Sequence, residues 1–170
     1  MSTDYIHKTA SRLLKRCNTR EPFKIARMLG VNVWYRNDFV SLKGMYKVIE
    51  RNRFIFVNSG LDEYERRVII AHELGHDALH RELAVDGALH EFVLYDMKTR
   101  PEYEANVFAA DILLDEEKII SLAERGFDET QIAMKLGVNI NLLLIKLNEM
   151  NKQGYSFNLS RAPRGDFLGT

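Results

Sequence analysis

The sequence predicts an α+β fold in which a small, mostly antiparallel sheet packs on one long helix, followed by a C-terminal helical segment. Three observations carry this. Branched and aromatic runs at residues 31–36, 44–49 and 53–57 cluster ahead of any long helical stretch. One helical pattern then runs unbroken from about residue 61 to 80, roughly 28 Å at 1.5 Å per residue. Beyond residue 100 only helical periodicity recurs, interrupted by single glycines.

The first element is a surface helix over residues 4–17, with Ile6, Leu13 and Leu14 turned inward. A short helix opens at Glu21-Pro22, where proline suits an early helical position, and closes at Gly30, which supplies a left-handed cap. Residues 50–52 tightly connect the second and third strands, so these pair as a hairpin and an antiparallel sheet of at least three strands is expected. Asn58-Ser59-Gly60 ends the sheet, and Asp62 and Glu65 mark the acidic first turn of the long helix. Gly75, in the middle of that helix, costs stability relative to alanine, so another element is expected to approach it closely. Residues 82–100 lose periodicity apart from a short strand expected at 91–95, and Pro101 opens a clear helix to about 114. Helices starting at Asp115, Asp128 and Asn139 follow, separated by Gly126 and Gly137. The expected division is a core at 1–114, a helix-turn-helix-like extension at 115–152 and an aperiodic tail at 153–170.

Composition narrows the function classes. Of 170 residues, 46% are hydrophobic and 28% charged, as in ordinary globular proteins with a real core. Lys+Arg and Asp+Glu are both 24, so whole-chain attraction to nucleic acid or an anionic membrane is not indicated. Cys17 is the lone cysteine, so no internal disulfide forms, and it reads as a packed small hydrophobe. No apolar run nears the ~20 residues of a membrane span, and a cytoplasmic location is expected.

The chemistry sits in His72-Glu73-Leu74-Gly75-His76, an H-E-x-x-H pattern inside the long helix. A shuffled chain of this composition would contain it about once in a hundred. At about 100° per residue, His72 and His76 point two imidazoles the same way, a geometry that suits two ligands of a tetrahedral zinc. Glu73 sits one step round the helix, within reach of a water on the ion, which places a Lewis acid beside a general base. The bland alternative, a buried helix with self-satisfied histidines, must carry these polar groups behind Val68-Ile69-Ile70-Ala71 at several kcal/mol each if unpaired.

Zinc with an open position needs a third protein ligand. A third histidine six residues past His76 is excluded, because Glu82 stands there. His80 is displaced by about 80° from His72 and suits a supporting or substrate contact better than the ion. Glu102-Tyr103-Glu104-Ala105-Asn106 offers the acid: Glu102 and Asn106 share a helix face, so Glu102 could bind the metal while Asn106 orients a histidine. Glu104 is the alternative ligand. Tyr46, Tyr95, Tyr103 and Arg100 are candidate donors to an oxyanion.

Ala71-His72-Glu73-Leu74-Gly75-His76, Leu79-His80 and Glu102-x-Glu104-Ala105-Asn106-x-Phe108-Ala109-Ala110-x-x-Leu113-Leu114 together resemble the ImmA/IrrE family of metallopeptidases. The resemblance takes in Leu42-x-Gly44-x-Tyr46 and Phe54–Asn58 and spans roughly residues 20 to 150. Asp115 departs from the family's usual Met-Pro pair after the paired leucines, which concerns only the next helix start. The resemblance implies a zincin-like fold, one zinc ion on His72, His76 and Glu102, and Glu73 as catalytic base. It further implies a protease of phages or integrative elements that cleaves a helix-turn-helix repressor and so relieves repression. The rival reading, a DNA-binding or sensor regulator with a non-catalytic metal site, rests on the helix-turn-helix-like stretch from Gln131 to Ile140. Its would-be recognition helix, Asn139-Ile140-Asn141-Leu142-Leu143-Leu144-Ile145-Lys146, offers little to base edges or phosphates, so direct nucleic-acid binding is not expected.

Overall fold

The structure, a computed structural model, describes residues 3–85 and 99–160. Helix α1 (Thr3–Cys17) buries Ile6, Ala10 and Cys17, and α2 (Pro22–Met28) follows with Pro22 in its first turn. Gly30, at φ 71°, turns the chain out of α2 in a conformation that a side chain would strain. Strands β1 (Val31–Arg36), β2 (Gly44–Ile49) and β3 (Asn52–Asn58) form one sheet in the order β1-β3-β2. The hairpin is as expected, with Glu50 and Arg51 both at positive φ in a two-residue turn. The sheet is mixed, however: β2 pairs antiparallel with β3, whereas β1 runs parallel to it. Residues 37–43 cause this by passing the end of β3, so that β1 and β2 flank it on opposite sides. Asn58 pins the crossing, its Nδ2 donating to the carbonyls of Phe39 and Leu42 at 3.2 and 3.1 Å.

Helix α3 (Glu63–Leu79) begins at Asp62, whose carboxylate accepts from the Glu65 N–H at 2.7 Å while Glu65 reaches back to the Asp62 N–H. Its residues 68–77 are buried on every side. The sheet's inner face, including Tyr46, Ile55 and Val57, contributes to the core against α3. After the short α4 (Arg81–Val85), helix α5 (Arg100–Leu113) lies with α3 along one flank and α1 along another. The expected approach at Gly75 is present: a Cβ there would lie 3.0 Å from Ala105 Cα and 3.2 Å from its carbonyl oxygen. The strand expected at 91–95, with Tyr95, lies outside the described residues.

Helices α6 (Glu116–Glu124), α7 (Glu129–Leu136) and α8 (Ile140–Lys152) complete the described fold. Leu142, Leu143, Ile145, Leu147 and Met150 of α8 belong to the same core as α3 and α5, so the would-be recognition helix is a packing helix. Residues 155–160 turn back along it: Asn151 exchanges two hydrogen bonds with the Phe157 backbone, at 2.7 and 2.9 Å. Among the described residues no helix is long and apolar enough to cross a membrane.

Candidate metal centre

The close α3–α5 contact at Gly75 and Ala105 brings the acid of one helix to the imidazoles of the other. Glu102 Oε2 lies 3.1 Å from His72 Nε2, Glu102 Oε1 lies 3.3 Å from His76 Nε2, and the two Nε2 atoms are 3.1 Å apart. All three residues are buried. For bonds of 2.0–2.1 Å, the edges of a tetrahedral zinc site are about 3.3–3.4 Å, so these spacings suit three donors of one small ion. Among the described residues, this is the group of three or more candidate ligands whose donor atoms converge.

The far side of each ring bears on what the near side presents. His72 Nδ1 meets Asn106 Oδ1 at 2.9 Å, and an N–H there leaves a lone pair on Nε2. His76 Nδ1 lies 3.3 Å from His80 Nδ1, and His80 Nε2 lies 2.9 Å from Glu104 Oε2. Glu104 therefore supports His80 and is bonded by the Arg100 Nε–H at 2.9 Å, while Glu102 is the acid whose carboxylate oxygens converge with the two imidazoles. Two aligned lone pairs and a carboxylate, all withdrawn from water, are a poor arrangement without a cation between them.

The electrostatics of the metal-free site divide the two rings: burial works against the charged form of His72, but its bond to Glu102 and the nearby Glu73 carboxylate more than reverse this and raise it. Burial pushes His76 down to about 4, only partly opposed by Glu102. Burial works against ionisation of Glu102 too, but its bonds to His72 and His76 hold its carboxyl well below the usual range. Burial raises the Glu73 carboxyl to about 8, His72 opposing and Glu102 adding to the rise, with the Tyr46 backbone N–H also opposing. Glu73 Oε1 is buried without a hydrogen-bond partner. Gly44 of β2 lies over it: a Cβ there would come 2.3 Å from Ile69 Cγ2 and 3.3 Å from Glu73 Oε1, so only glycine lets the strand pass.

Among the described residues, the candidate oxyanion donors are engaged elsewhere. The Tyr46 hydroxyl donates to Asp77 Oδ1 at 2.7 Å, Tyr103 bonds to Glu149 on the opposite flank of α5, and Arg100 is bonded to Glu104. Sequence reasoning missed Asp77, which ties β2 and β3 to α3 by accepting from Tyr46 and, at 2.9 Å, from Arg53. An acid directly after the second histidine was the available signal.

An α+β domain whose long H-E-x-x-H helix receives a carboxylate from a neighbouring helix has the architecture of the zincin-like metallopeptidases. The chain belongs to the peptidase M78 family, described as the IrrE N-terminal-like domain, whose model matches residues 26–148. It is also similar to uncharacterized immunity region protein 2 of Bacillus phage phi105. That protein is 33% identical over 141 residues, covering 83% of this chain and 88% of the phage protein.

Proposed function

We propose that this protein is a zinc-dependent endopeptidase that binds one zinc ion through His72, His76 and Glu102 and uses Glu73 as general base. The observation that carries this reading is the unpartnered, buried Glu73 Oε1 beside three converging donor atoms on a peptidase-family fold. When bound, zinc supplies a Lewis acid that lowers the pKa of its water towards ~7 and polarises the scissile carbonyl. With the cation in place, whose charge favours the ionised carboxylate, Glu73 would take the proton of the attacking water on Oε1 and then deliver it to the leaving amine. Its burial keeps competing solvent away, and the Tyr46 N–H steadies the carboxylate. Asn106 and His80 hold the two imidazoles in position.

The substrate we propose is a helix-turn-helix repressor of a phage or integrative element, cleaved in the cytoplasm to relieve repression. The family resemblance and the immunity-region name of the phage relative support it. Glu73→Gln should keep zinc and lose about 10²–10⁴-fold in cleavage, whereas His76→Ala should lose the metal. Co-expression with a repressor from the same genetic neighbourhood, with fragments read by mass spectrometry, tests both. Undiminished cleavage by zinc-loaded Glu73→Gln would remove Glu73 from the reaction.

A further inference from the structure

The two imidazoles that face Glu102 are supported differently, and the difference assigns work to three residues outside the ligand set. Behind His72 stands a neutral amide, Asn106, at 2.9 Å. An amide can turn either its oxygen or its nitrogen to a ring and so does not by itself dictate the tautomer. Behind His76 runs a chain of three contacts: His76 Nδ1 to His80 Nδ1 at 3.3 Å, His80 Nε2 to Glu104 Oε2 at 2.9 Å, and Glu104 Oε1 to Arg100 Nε at 2.9 Å. His76, His80 and Glu104 are buried, while the Arg100 side chain is 66% exposed.

With a carboxylate at Glu104 and a neutral ring at His80, donor and acceptor rules leave one assignment along this chain. Arg100 can only donate, so Glu104 Oε1 accepts from it. An ionised Glu104 can only accept, so His80 Nε2 carries the hydrogen. A neutral His80 then has its lone pair on Nδ1, and the hydrogen between the two rings belongs to His76 Nδ1. His76 Nε2 is left with a lone pair directed at His72 and Glu102.

We infer that His80, Glu104 and Arg100 form a positioning relay that fixes the tautomer of His76 from the protein surface and sets how strongly that ring binds the metal. The inference rests on the zinc reading above. It gives His80 a supporting role in place of a substrate contact, and it makes Glu104 a partner of the site without being a ligand. The relay also makes the two ligand rings unequal: a carboxylate acts on His76 through an imidazole, which raises its donor strength, while the amide behind His72 has no such charge.

The test is zinc affinity of the full-length chain, measured by chelator competition, together with imidazole ¹⁵N chemical shifts of the metal-free and zinc-loaded protein. His80→Ala and Glu104→Ala should each weaken zinc about 10–100-fold. The double variant should be no weaker than His80→Ala alone, because Glu104 acts only through His80. His80→Asn, whose side-chain oxygen can accept from His76 Nδ1, should recover most of the affinity and make Glu104→Ala silent. The shifts should place the hydrogen of His76 on Nδ1. Wild-type affinity in His80→Ala, additive losses in the double variant, or a hydrogen on His76 Nε2 in the metal-free protein with Nδ1 bare would each overturn the relay. A wild-type chain that fails to bind zinc at all would instead remove the zinc reading, so the two failures are separable.

Discussion

Helix α5 carries two buried polar clusters on different flanks, and they solve opposite problems. Towards α3 it presents Glu102, Glu104 and Asn106, whose partners leave three donor atoms converging. Towards α1 and α8 it presents Tyr103 and Asp111, which enter a chain of alternating charge: Lys152, Glu149, His7, Asp111, Lys146, Glu116. There each charge has an opposite neighbour. Asp111 meets His7 Nδ1 and Lys146 Nζ, both at 2.6 Å, and Lys146 also reaches Glu116 at 2.6 Å. The weakest link is His7 Nε2 to Glu149 Oε2, 3.7 Å apart and without a hydrogen bond. Burial of charge thus does not mark a functional site. What separates the flanks is whether the charges close upon themselves or leave an inward deficit that a cation would fill.

Breaking the self-paired flank should have the largest effect on folding. Lys146→Met leaves Asp111 short of a buried partner and should cost about 3–5 kcal/mol in urea unfolding, with zinc content per folded chain unchanged. Stripping zinc from the other flank should remove about 4 kcal/mol when the free ion had stood near a thousand times Kd. That loss should reverse on adding zinc back, whereas the Lys146→Met loss should not respond to zinc.

Next comes pH. Burial would lower the His7 pKa, but the Asp111 and Glu149 carboxylates more than reverse this and hold it at about 9. The folded chain therefore keeps a proton that the unfolded chain releases near 6.5. The resulting stabilisation, on the order of 3 kcal/mol, is complete below the unfolded pKa and is lost as pH rises through about 9. A plot of urea midpoint against pH should fall across that window, and His7→Gln should flatten it. The smallest effect belongs to the rim. Glu116 is 41% exposed, and Glu116→Gln should cost under about 1 kcal/mol. A loss there as large as that of Lys146→Met would show that the chain acts as a single unit.

Much of this was legible in residue order because it is local. The Asp62 and Glu65 cap, the two-residue hairpin and the face shared by His72 and His76 are all set within a few residues. Gly75 announced a neighbour because its local cost needed a reason, although the sequence could not identify Ala105 as that neighbour. The parallel pairing of β1 was hidden, since strand composition does not say on which side of β3 the strand lands. The His7–Asp111 pair was hidden for a similar reason: single residues 104 positions apart leave no periodic trace. Residue spacing favoured Glu102 over Glu104, because Glu102 shares a helix face with Asn106, but left Glu104 open. What separates them is that Glu104 meets His80 and Arg100, a matter of helix placement.

The missing methyl at Gly75 acts as a spacer gauge for the metal centre. Its absence sets how far α5 stands from α3, and hence the span from Glu102 to both imidazoles. An alanine at 75 would press on the main chain of Ala105, so α5 would have to give by a few tenths of an ångström, which no side-chain rotation could supply. Trimming Ala105 to glycine would remove only the Cβ at 3.3 Å and leave the Cα at 3.0 Å. Position 75 is therefore constrained by the span between Glu102 and the two imidazoles, although its own residue offers no ligand atom.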